Sequence, residues 1–407
     1  DLHELHGPKW GYRRGMRDDC VGVYVHVPFC GRVCPYCDFA VVAVGSLEAG
    51  VESRYVDALV RELDARTAEY AGRSLASLYL GGGTPSLLTP ASVARIGRAV
   101  HDAFGSARSP EFTLEVNPST LERSRLGAFR RAGVGRVSVG VQSFDDVMLR
   151  RLGRAHRSEA AVATLDACRT AGFDSLSIDL IFAGPGQTEA VLERDLARAL
   201  DFEPEHLSTY ELTIEPKTPF ALAHSRGQLD LPSEDRSSEM LARIEARLTA
   251  AGLDRYEISN YARPGFESVH NRRYWERRPV LGLGMGAFST LPPDPIAPFG
   301  RRRSNSRNLV TYLDRIESGR SGAAGPDEVF DAPTARGEAV FLALRGAPGL
   351  DAAQFEVEFG DPPREFFGAG IDKLLGLGLL EELATGSLRL TGRGRALADT
   401  VFAEFMA

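Results

Sequence analysis

The sequence predicts an α/β protein made of six consecutive β/α units and a smaller α+β domain towards the carboxyl end. Strand-length apolar runs alternate with stretches of helical periodicity over 21–213, and each run ends in a polar or glycine-rich turn. Repeated β/α units imply a parallel sheet, because parallel strands are joined by crossover connections that are usually helices. A chain of 407 residues with 43% hydrophobic composition is long enough for one large core and a smaller second one.

The predicted elements follow in chain order. The strands cover 21–28, 75–81, 111–117, 135–142, 175–183 and 206–213. The helices between them cover 51–70, 90–104, 120–132, 158–171 and 188–200. Helices near 327–345 and 365–380, a strand at 387–391 and a final helix ending near 405 indicate a winged-helix-like domain. Ligands of parallel sheets gather at the carboxyl ends of the strands, so functional residues are expected there.

The composition excludes several classes of protein. Five cysteines are too few for a disulfide framework in this length, and the sequence lacks an apolar run of about 18 residues that would indicate a signal or membrane segment. We therefore expect a cytoplasmic protein in a reducing environment, without a transmembrane segment. The net charge of -7 argues against a nucleic-acid partner.

Three cysteines lie close together directly after the first predicted strand. Cys30, Cys34 and Cys37 have C-x3-C-x2-C spacing, which chance would produce in roughly one such chain in a thousand. Three thiolates bind three irons of a [4Fe–4S] cluster and leave the fourth iron open, whereas structural zinc normally has four protein ligands. We favour the cluster; the alternatives are zinc completed by His26, or an inert group of thiols. The two remaining cysteines, expected to be bystanders, are Cys20 and Cys168.

Further candidates lie at or near the ends of the next predicted strands. The glycines at 81–83 either form a tight turn or let the backbone approach a small ligand. Glu115 and Asp179 lie in apolar strands, where a carboxylate is costly unless it is paired or lines a wet cavity, so a functional role is favoured. Gln142 and Arg154, taken singly, are more often structural hydrogen-bonding residues than ligand contacts. One ligand could touch all of these positions.

These residues lie in motifs that resemble a known family. The motifs are Tyr24-Val-His-Val-Pro-Phe-Cys30-x3-Cys34-Pro-Tyr36-Cys37, Gly-Gly-Gly-Thr-Pro-Ser at 81–86, Glu115-x-Asn117-Pro, Ser138-Val-Gly-Val-Gln142-Ser-Phe, Arg151-Leu-Gly-Arg154 and Ile178-Asp179-Leu-Ile. In register over about 21–350, they resemble radical S-adenosylmethionine proteins of the coproporphyrinogen III oxidase-like (HemN/HemW) group. The resemblance implies a partial (β/α)6, TIM-like barrel, which the six predicted units would build.

The resemblance also implies a cofactor site. In the family, S-adenosylmethionine chelates the open iron of a [4Fe–4S] cluster, and an electron cleaves it to a 5′-deoxyadenosyl radical. Cys30, Cys34 and Cys37 would hold the cluster. The residues that would contact S-adenosylmethionine are Tyr24, Tyr36, Gly82, Gly83, Thr84, Glu115, Gln142, Arg154 and Asp179. Their chemistry agrees, since glycines admit a ligand, carboxylates bind ammonium and hydroxyl groups, and arginine pairs with carboxylate.

Later motifs are closer to the HemW branch of the group. His270-Asn271-x2-Tyr274-Trp275 is similar to the H-N-x-x-Y-W motif of that branch, and Phe39 stands where the oxidase has a fourth cysteine. That branch is regarded as heme chaperones, so the resemblance implies that this segment binds heme, with His270 as iron ligand and the rings stacked on porphyrin. The alternative is that His270 only forms hydrogen bonds and Trp275 fills the core. Phe288 replaces a histidine that is common in the branch.

The implied partners are heme, a heme-acceptor protein and, if radical chemistry occurs, an electron donor. Two other functions need the same cysteines: a radical enzyme that decarboxylates a porphyrinogen or transfers a methyl group, and a non-catalytic Fe–S protein. The H-N-x-x-Y-W segment is expected to lie well outside the barrel motifs. The expected segments are an amino-terminal extension at 1–20, the barrel at 21–230, a HemW-type extension at 231–325 and the winged-helix-like domain at 326–407.

Overall fold

The computed structural model describes residues 19–106 and 109–406. Nearly all of the predicted amino-terminal extension therefore lies outside the described residues. Within them, twelve strands form one large sheet, and a two-stranded hairpin belongs to a carboxyl-terminal unit. The helices in the described part of the chain are too short or too polar to cross a membrane.

Six parallel strands form the centre of the large sheet and confirm the six predicted strands to within two residues at each end. They are β1 Cys20–Val27, β2 Ser74–Gly82, β3 Glu111–Val116, β4 Arg136–Gln142, β5 Ser175–Phe182 and β6 His206–Glu211. Each pairs in parallel with the next, from β1 through to β6. Most of their side chains are buried, as expected for parallel strands that are covered by helices.

Helices connect these strands. They are α1 Ala49–Arg66, α2 Pro90–Phe104, α3 Thr120–Arg131, α4 Asp146–Arg151, α5 Ser158–Ala171 and α6 Glu189–Leu200. Local signals explain several bounds. The Thr89 side chain accepts a hydrogen bond from the Ser92 N–H and precedes Pro90 in the first turn of α2. Gly172 ends α5 in the left-handed conformation, with φ 71°.

Later strands extend the sheet at both edges. They are β7 Asp254–Arg255, β8 Asn260–Ala262, β9 Val280–Leu283, β10 Phe288–Leu291, β11 Arg301–Ser304 and β12 Glu328–Val329. The strand order is β12-β11-β10-β9-β1-β2-β3-β4-β5-β6-β8-β7, so the sheet is open and the predicted partial barrel is confirmed. The helices of this part of the chain are α7 Pro219–Ser225, α8 Glu234–Ala250, α9 Val269–Trp275 and α10 Leu309–Glu317.

The carboxyl-terminal unit has its own hydrophobic core, which includes Val340, Ile371 and Val401. Its elements are α11 Ala332–Arg345, α12 Ala352–Phe359, α13 Pro363–Gly376, the hairpin strands β13 Leu380–Glu382 and β14 Leu388–Leu390, α14 Gly392–Ala396 and α15 Ala398–Ala403. These helices and the hairpin form the predicted small α+β domain. It joins the rest of the chain where the Ala347 N–H donates to the Tyr256 carbonyl at 2.9 Å.

Candidate functional site

The three clustered cysteines lie on one loop after β1, the cysteine loop, residues 30–37. Two-residue strands, Phe29–Cys30 and Val42–Ala43, pair in parallel beside it. The Cys37 N–H donates to the Cys34 carbonyl at 3.1 Å, so the second and third cysteines share one turn. Cys30 is buried, Cys34 and Cys37 are partly exposed, and all three are free thiols. The loop therefore carries three soft ligands of the kind that iron–sulfur clusters use.

Burial raises the pKa of the Cys30 thiol to about 11 and also raises the pKa of Cys37. Because thiolates are the metal ligands, loading the loop with metal would release protons. Among the described residues, no group of three or more histidine, cysteine, aspartate or glutamate side chains is placed to hold a single metal ion. A [4Fe–4S] cluster takes one thiolate per iron, so its ligands need not meet at one atom.

His26, the alternative zinc ligand, is engaged in hydrogen bonds at both ring nitrogens. Its Nδ1 lies 3.1 Å from the Tyr24 hydroxyl, and its Nε2 lies 2.8 Å from the Ala40 carbonyl oxygen. Burial lowers its pKa. The ring thus holds the segment that follows the cysteine loop against β1, and it has no nitrogen left for a metal in this arrangement.

The glycine-rich turn after β2 packs against the cysteine loop and the residues before it. The N–H groups of Gly83 and Thr84 each donate to backbone carbonyls of 27–29 at 2.8 Å. A Cβ on Gly83 would lie 2.7 Å from the Phe29 carbonyl oxygen, and a Cβ on Gly82, which has φ 108°, would lie 2.5 Å from the His26 ring. Glycine is therefore needed for the close approach of the turn to the loop. A contact between these glycines and a ligand stays a prediction.

The polar residues within the strands differ in exposure. Five of them are partly exposed, whereas the residues directly before them on the strands are buried, so these five side chains form an accessible polar surface inside the partial barrel. This set contains Tyr24 on β1, Tyr79 on β2, Glu115 on β3, Gln142 on β4 and Asp179 on β5. Glu115 is paired with Ser138 on β4, and the Ser138 hydroxyl donates to Asp179, so the two carboxyl groups lie on the same surface.

Both carboxyl groups are anchored by protein donors. Glu115 accepts a hydrogen bond at Oε1 from the Tyr79 hydroxyl (2.8 Å) and at Oε2 from the Gly82 N–H (3.0 Å). The Ser138 hydroxyl lies 2.9 and 3.1 Å from the two carboxyl oxygens of Asp179. Burial raises the pKa of Glu115 to about 7 and also raises the pKa of Asp179. Each carboxylate keeps acceptor capacity for a ligand, because it has about four acceptor positions.

Arg154 joins the strand ends to the cysteine loop. Its Nη1 donates to Cys34 Sγ (3.5 Å), and its Nη2 donates to Asn117 Oδ1 (2.7 Å) and to the Gly140 carbonyl (3.0 Å). Its Nε is buried and has no hydrogen-bond partner in the described part of the chain. An unpartnered buried N–H is costly, so this donor favours an acceptor supplied by a ligand. Tyr36 contacts both Arg154 and Cys34.

Gln142 lies beside this guanidinium in an uncommon backbone conformation. Its φ is 67°, a left-handed value that is unusual outside glycine and is enriched at functional sites. A Cβ on Gly140 would lie 3.0 Å from Gln142 Nε2 and 3.5 Å from Arg154 Nη2. Glycine at 140 therefore leaves room for the two side chains to approach each other.

These groups fit the two cofactors that the resemblance implies. Two donors face cysteine sulfurs, since Thr84 Oγ1 lies 3.8 Å from Cys30 Sγ and Arg154 Nη1 faces Cys34, and such hydrogen bonds are usual around iron–sulfur clusters. The unpartnered Arg154 N–H suits a carboxylate. The two carboxyl groups suit ammonium and hydroxyl groups, which S-adenosylmethionine also carries.

The predicted heme segment forms α9 and packs against the inside of the sheet, so the expectation that it lies outside the barrel motifs is wrong. His270 is 1% exposed; its Nδ1 lies 2.9 Å from the Ser77 hydroxyl and its Nε2 lies 3.2 Å from the Tyr274 hydroxyl. Its ring stacks on Tyr79 and Tyr24, with centroids 5.2 and 6.1 Å apart. Burial lowers its pKa to about 3. With both nitrogens bonded, His270 has no free nitrogen for heme iron, which favours the structural alternative.

The four residues of this motif face different surroundings. His270 and Tyr274 contact each other beneath the sheet, whereas the guanidinium carbon of Arg345 lies 4.6 Å over the Trp275 ring, at the contact with the carboxyl-terminal domain. The Asn271 N–H donates to the Ser268 side chain, which caps α9. The segment therefore does not present a single aromatic wall.

The structure places Tyr79 and Asn117 among the site residues. Sequence reasoning did not assign a site role to Tyr79; it placed Asn117 with Glu115 at the end of the third predicted strand but gave it no ligand contact. Tyr79 donates to Glu115, and Asn117 links Thr84 to Arg154. A signal for Asn117 was present, because it follows Glu115 by two positions and successive alternate residues of a strand face the same side. Tyr79 is the polar-tipped residue in an otherwise apolar part of β2, which is the same kind of signal.

Comparison with known protein families gives two matches. The profile of the Radical SAM superfamily matches residues 24–199, and the profile of the HemN C-terminal domain matches residues 331–397. The first match begins within β1, contains the cysteine loop and ends in α6. The second lies within the carboxyl-terminal domain.

Several relatives are named heme chaperone HemW. The one from Escherichia coli K12 is 38% identical over 392 residues, which are 95% of this chain and 98% of that protein. The one from Bacillus subtilis 168 is 32% identical over 384 residues, 94% of this chain and 98% of that protein. The one from Mycobacterium tuberculosis H37Rv is 34% identical over 380 residues, 93% of each chain.

The coproporphyrinogen III oxidase HemN from Escherichia coli, described as a radical SAM enzyme, has a similar solved structure. It aligns with a TM-score of 0.79 and 25% identity, and covers 95% of this chain and 90% of that one. The likeness therefore extends over the partial barrel and the carboxyl-terminal domain together. With 32–38% identity to HemW proteins over 93% or more of its length, the chain belongs to the HemW family of the radical SAM superfamily.

Proposed function

We propose that this protein is a heme chaperone that carries a [4Fe–4S] cluster and S-adenosylmethionine, binds heme and delivers it to an acceptor protein. The observation that carries the proposal is the cysteine loop, with hydrogen-bond donors of Thr84 and Arg154 facing two of its sulfurs. The names of the relatives support the heme role. The proposed setting is a reducing cytoplasm, where free thiols and a partly accessible cluster persist.

The three cysteines of the loop would hold the cluster, which when bound provides one-electron chemistry and an open iron. The chain's own residues have separate roles around it. Glu115 and Asp179 accept hydrogen bonds from ammonium or hydroxyl groups of S-adenosylmethionine, and Arg154 donates from Nε to its carboxylate. The remaining proposed contacts are Tyr24, Tyr36, Gly82, Gly83, Thr84 and Gln142.

Heme needs an apolar surface, and two exposed phenylalanines lie in neighbouring segments: Phe39 follows the cysteine loop, and Phe288 begins β10. Phe39 is 65% exposed and Phe288 is 50% exposed. The two segments touch, because a Cβ on Gly286 would lie 2.5 Å from the Cβ of Ala40. Aromatic rings stack on porphyrin, and an exposed position allows the heme to leave for an acceptor. We therefore assign initial heme contact to this surface rather than to His270.

Anaerobic reconstitution followed by heme titration tests the proposal. We expect a stable Soret band at a stoichiometry of about one heme per chain, and transfer of this heme to an added apo-hemoprotein. Phe39→Ser with Phe288→Ser should weaken heme binding, whereas the matched control Val357→Ser, at a position that is 89% exposed on α12, should not.

The same samples, supplied with S-adenosylmethionine and a reductant, distinguish the alternative. Formation of 5′-deoxyadenosine together with a modified tetrapyrrole would replace the chaperone proposal with a radical enzyme, the class of the structurally similar HemN. Failure to bind heme with a complete cluster in place would leave a non-catalytic Fe–S protein.

A further inference from the structure

Asn117 connects the two side chains that reach the cysteine sulfurs. Its Nδ2 donates to Thr84 Oγ1 at 2.7 Å, and its Oδ1 accepts from Arg154 Nη2 at 2.7 Å. Beyond these partners, Thr84 Oγ1 lies 3.8 Å from Cys30 Sγ, and Arg154 Nη1 lies 3.5 Å from Cys34 Sγ. One amide therefore stands between the donors to two of the three cluster ligands.

The chemistry of the side chains fixes the direction of each hydrogen bond in this series. A guanidinium can only donate, so the oxygen of the Asn117 amide must face Arg154. The amide nitrogen must then face Thr84 and donate to its hydroxyl oxygen. The amide NH2 group donates and does not accept, so the single hydroxyl proton of Thr84 remains available for Cys30. Asparagine fulfils both requirements, whereas aspartate has no proton to donate to Thr84.

We propose that Asn117 is a positioning residue that directs the Thr84 hydroxyl onto Cys30 and the Arg154 guanidinium onto Cys34, and thereby sets the hydrogen bonding of the cluster sulfurs. Hydrogen bonds to the sulfurs stabilise the reduced, more negative cluster and raise its reduction potential. The proposal rests on the proposed cluster at Cys30, Cys34 and Cys37. It adds a residue that controls the potential without binding iron.

Asn117→Asp is the direct test, because aspartate keeps the shape and the acceptor for Arg154 but turns the Thr84 proton towards itself. The reconstituted variant should keep its full iron content and show a more negative midpoint potential, measured by an EPR-monitored redox titration without S-adenosylmethionine. Thr84→Val removes the same proton without adding a charge, so it should shift the potential in the same direction. The matched control is Thr113→Val on β3, whose buried hydroxyl has no partner among the described residues and should not affect the potential.

The outcomes distinguish a failure of the proposed function from a failure of the role assigned to Asn117. If the unmodified protein takes up no [4Fe–4S] cluster, the proposed function fails. If it takes up the cluster but Thr84→Val leaves the midpoint unchanged, the role of Asn117 is refuted, and a shift in Asn117→Asp alone would be an effect of its charge. Equal shifts in Thr84→Val and the Thr113→Val control would also overturn the proposal, since they would reflect general loosening of the strands.

Discussion

Two glutamates on one strand show how this protein separates positioning from binding. Glu111 and Glu115 lie four residues apart on β3, so both face the same side of the sheet. Glu111 is 1% exposed and accepts bonds from the Ser268 hydroxyl (3.3 Å) and from the Val269 and His270 N–H groups (3.1 Å each). It holds the beginning of α9. Glu115, nearer the carboxyl end of the strand, remains partly exposed.

Two buried histidines near the amino ends of the strands also act as positioning groups, like Glu111. Two similar bridges run from serine through histidine to tyrosine, with nitrogen–oxygen distances of 2.8–3.2 Å. They are Ser77–His270–Tyr274 and Ser177–His206–Tyr256. The members of these two bridges satisfy one another, whereas Arg154 at the other end of the sheet has a buried N–H without a protein partner in the described residues. For these side chains, the hydrogen-bond partners rather than the residue type distinguish a positioning group from a candidate ligand contact.

The largest effect should come from the cysteine loop. Cys30→Ala, Cys34→Ala and Cys37→Ala should each lose the brown chromophore and most of the about four irons of the cluster, since three thiolates are its protein ligands. Cys20→Ala and Cys168→Ala should keep them. Iron and sulfide analysis after anaerobic reconstitution gives the measurement. Normal iron content in any loop variant would remove the basis of the assignment.

His270→Ala should act on stability rather than on heme. The change leaves the hydroxyls of Ser77 and Tyr274 without their partner and creates a cavity, so we expect a loss of about 3 kcal/mol in the free energy of unfolding. Urea denaturation measures it, and His101→Ala, whose side chain is 60% exposed, is the control that should change little. The Soret band of added heme should persist in the folded His270→Ala protein. Its disappearance would restore His270 as the iron ligand.

The glutamate pair gives a matched test of the comparison itself. Glu115→Gln removes a charged acceptor from the accessible surface, and we expect S-adenosylmethionine affinity to fall roughly 10- to 100-fold, the value of one charge-assisted hydrogen bond. Glu111→Gln should leave that affinity within about threefold but lower the stability, because glutamine cannot accept all the bonds that hold α9. Calorimetric titration and denaturation of both variants decide the matter. If Glu111→Gln lowered the affinity and Glu115→Gln lowered only the stability, the binding and positioning roles of the two glutamates would have to be exchanged.

The sequence predicted the central elements well because their signals are local. α2 was predicted with its observed bounds, 90–104, since Thr89 and Pro90 mark its beginning and Gly105 its end. The bounds of β5 were likewise predicted to within one residue, because its apolar residues first alternate with serine and then form an apolar run at its end. The later strands β7 to β12 were missed, because they are two to four residues long and owe their structure to pairing with β1, with β6 and with one another.

The identities of the candidate site residues could be predicted, because most of them lie in the family motifs. What the sequence could not provide was each residue's partners. Ser77 and His270 are 193 residues apart in the chain, and no local pattern indicates that one hydroxyl will occupy one ring nitrogen. The heme role of His270 was inferred from the resemblance and from the chemistry of a free imidazole, whereas in the structure both ring nitrogens have hydrogen-bond partners.

The smallest effect is a pH dependence at Glu115 that Glu111 should not show. Burial raises the pKa of Glu115 to about 7, so the ionised acceptor is lost as the pH falls through neutrality. We expect S-adenosylmethionine affinity to rise about tenfold between pH 6 and pH 8 and then to level off, since one titrating group changes occupancy tenfold per unit below its pKa. The titratable groups that face this carboxyl are Tyr24, Tyr79, Asp179 and Tyr210.

Glu115→Gln distinguishes the titration of this carboxyl from the titration of Asp179 and of the ligand's own amino group. The variant should bind more weakly and show a flatter pH profile, whereas Glu111→Gln should keep the slope. A raised pKa in the folded state also means that the folded chain binds this proton more tightly than the unfolded chain does. Without ligand, the contribution of Glu115 to stability should therefore fall as the pH rises from about 4.5 to about 7. An undiminished slope in Glu115→Gln would assign the titration to Asp179 or to the ligand, and Glu115 would then belong with the positioning groups.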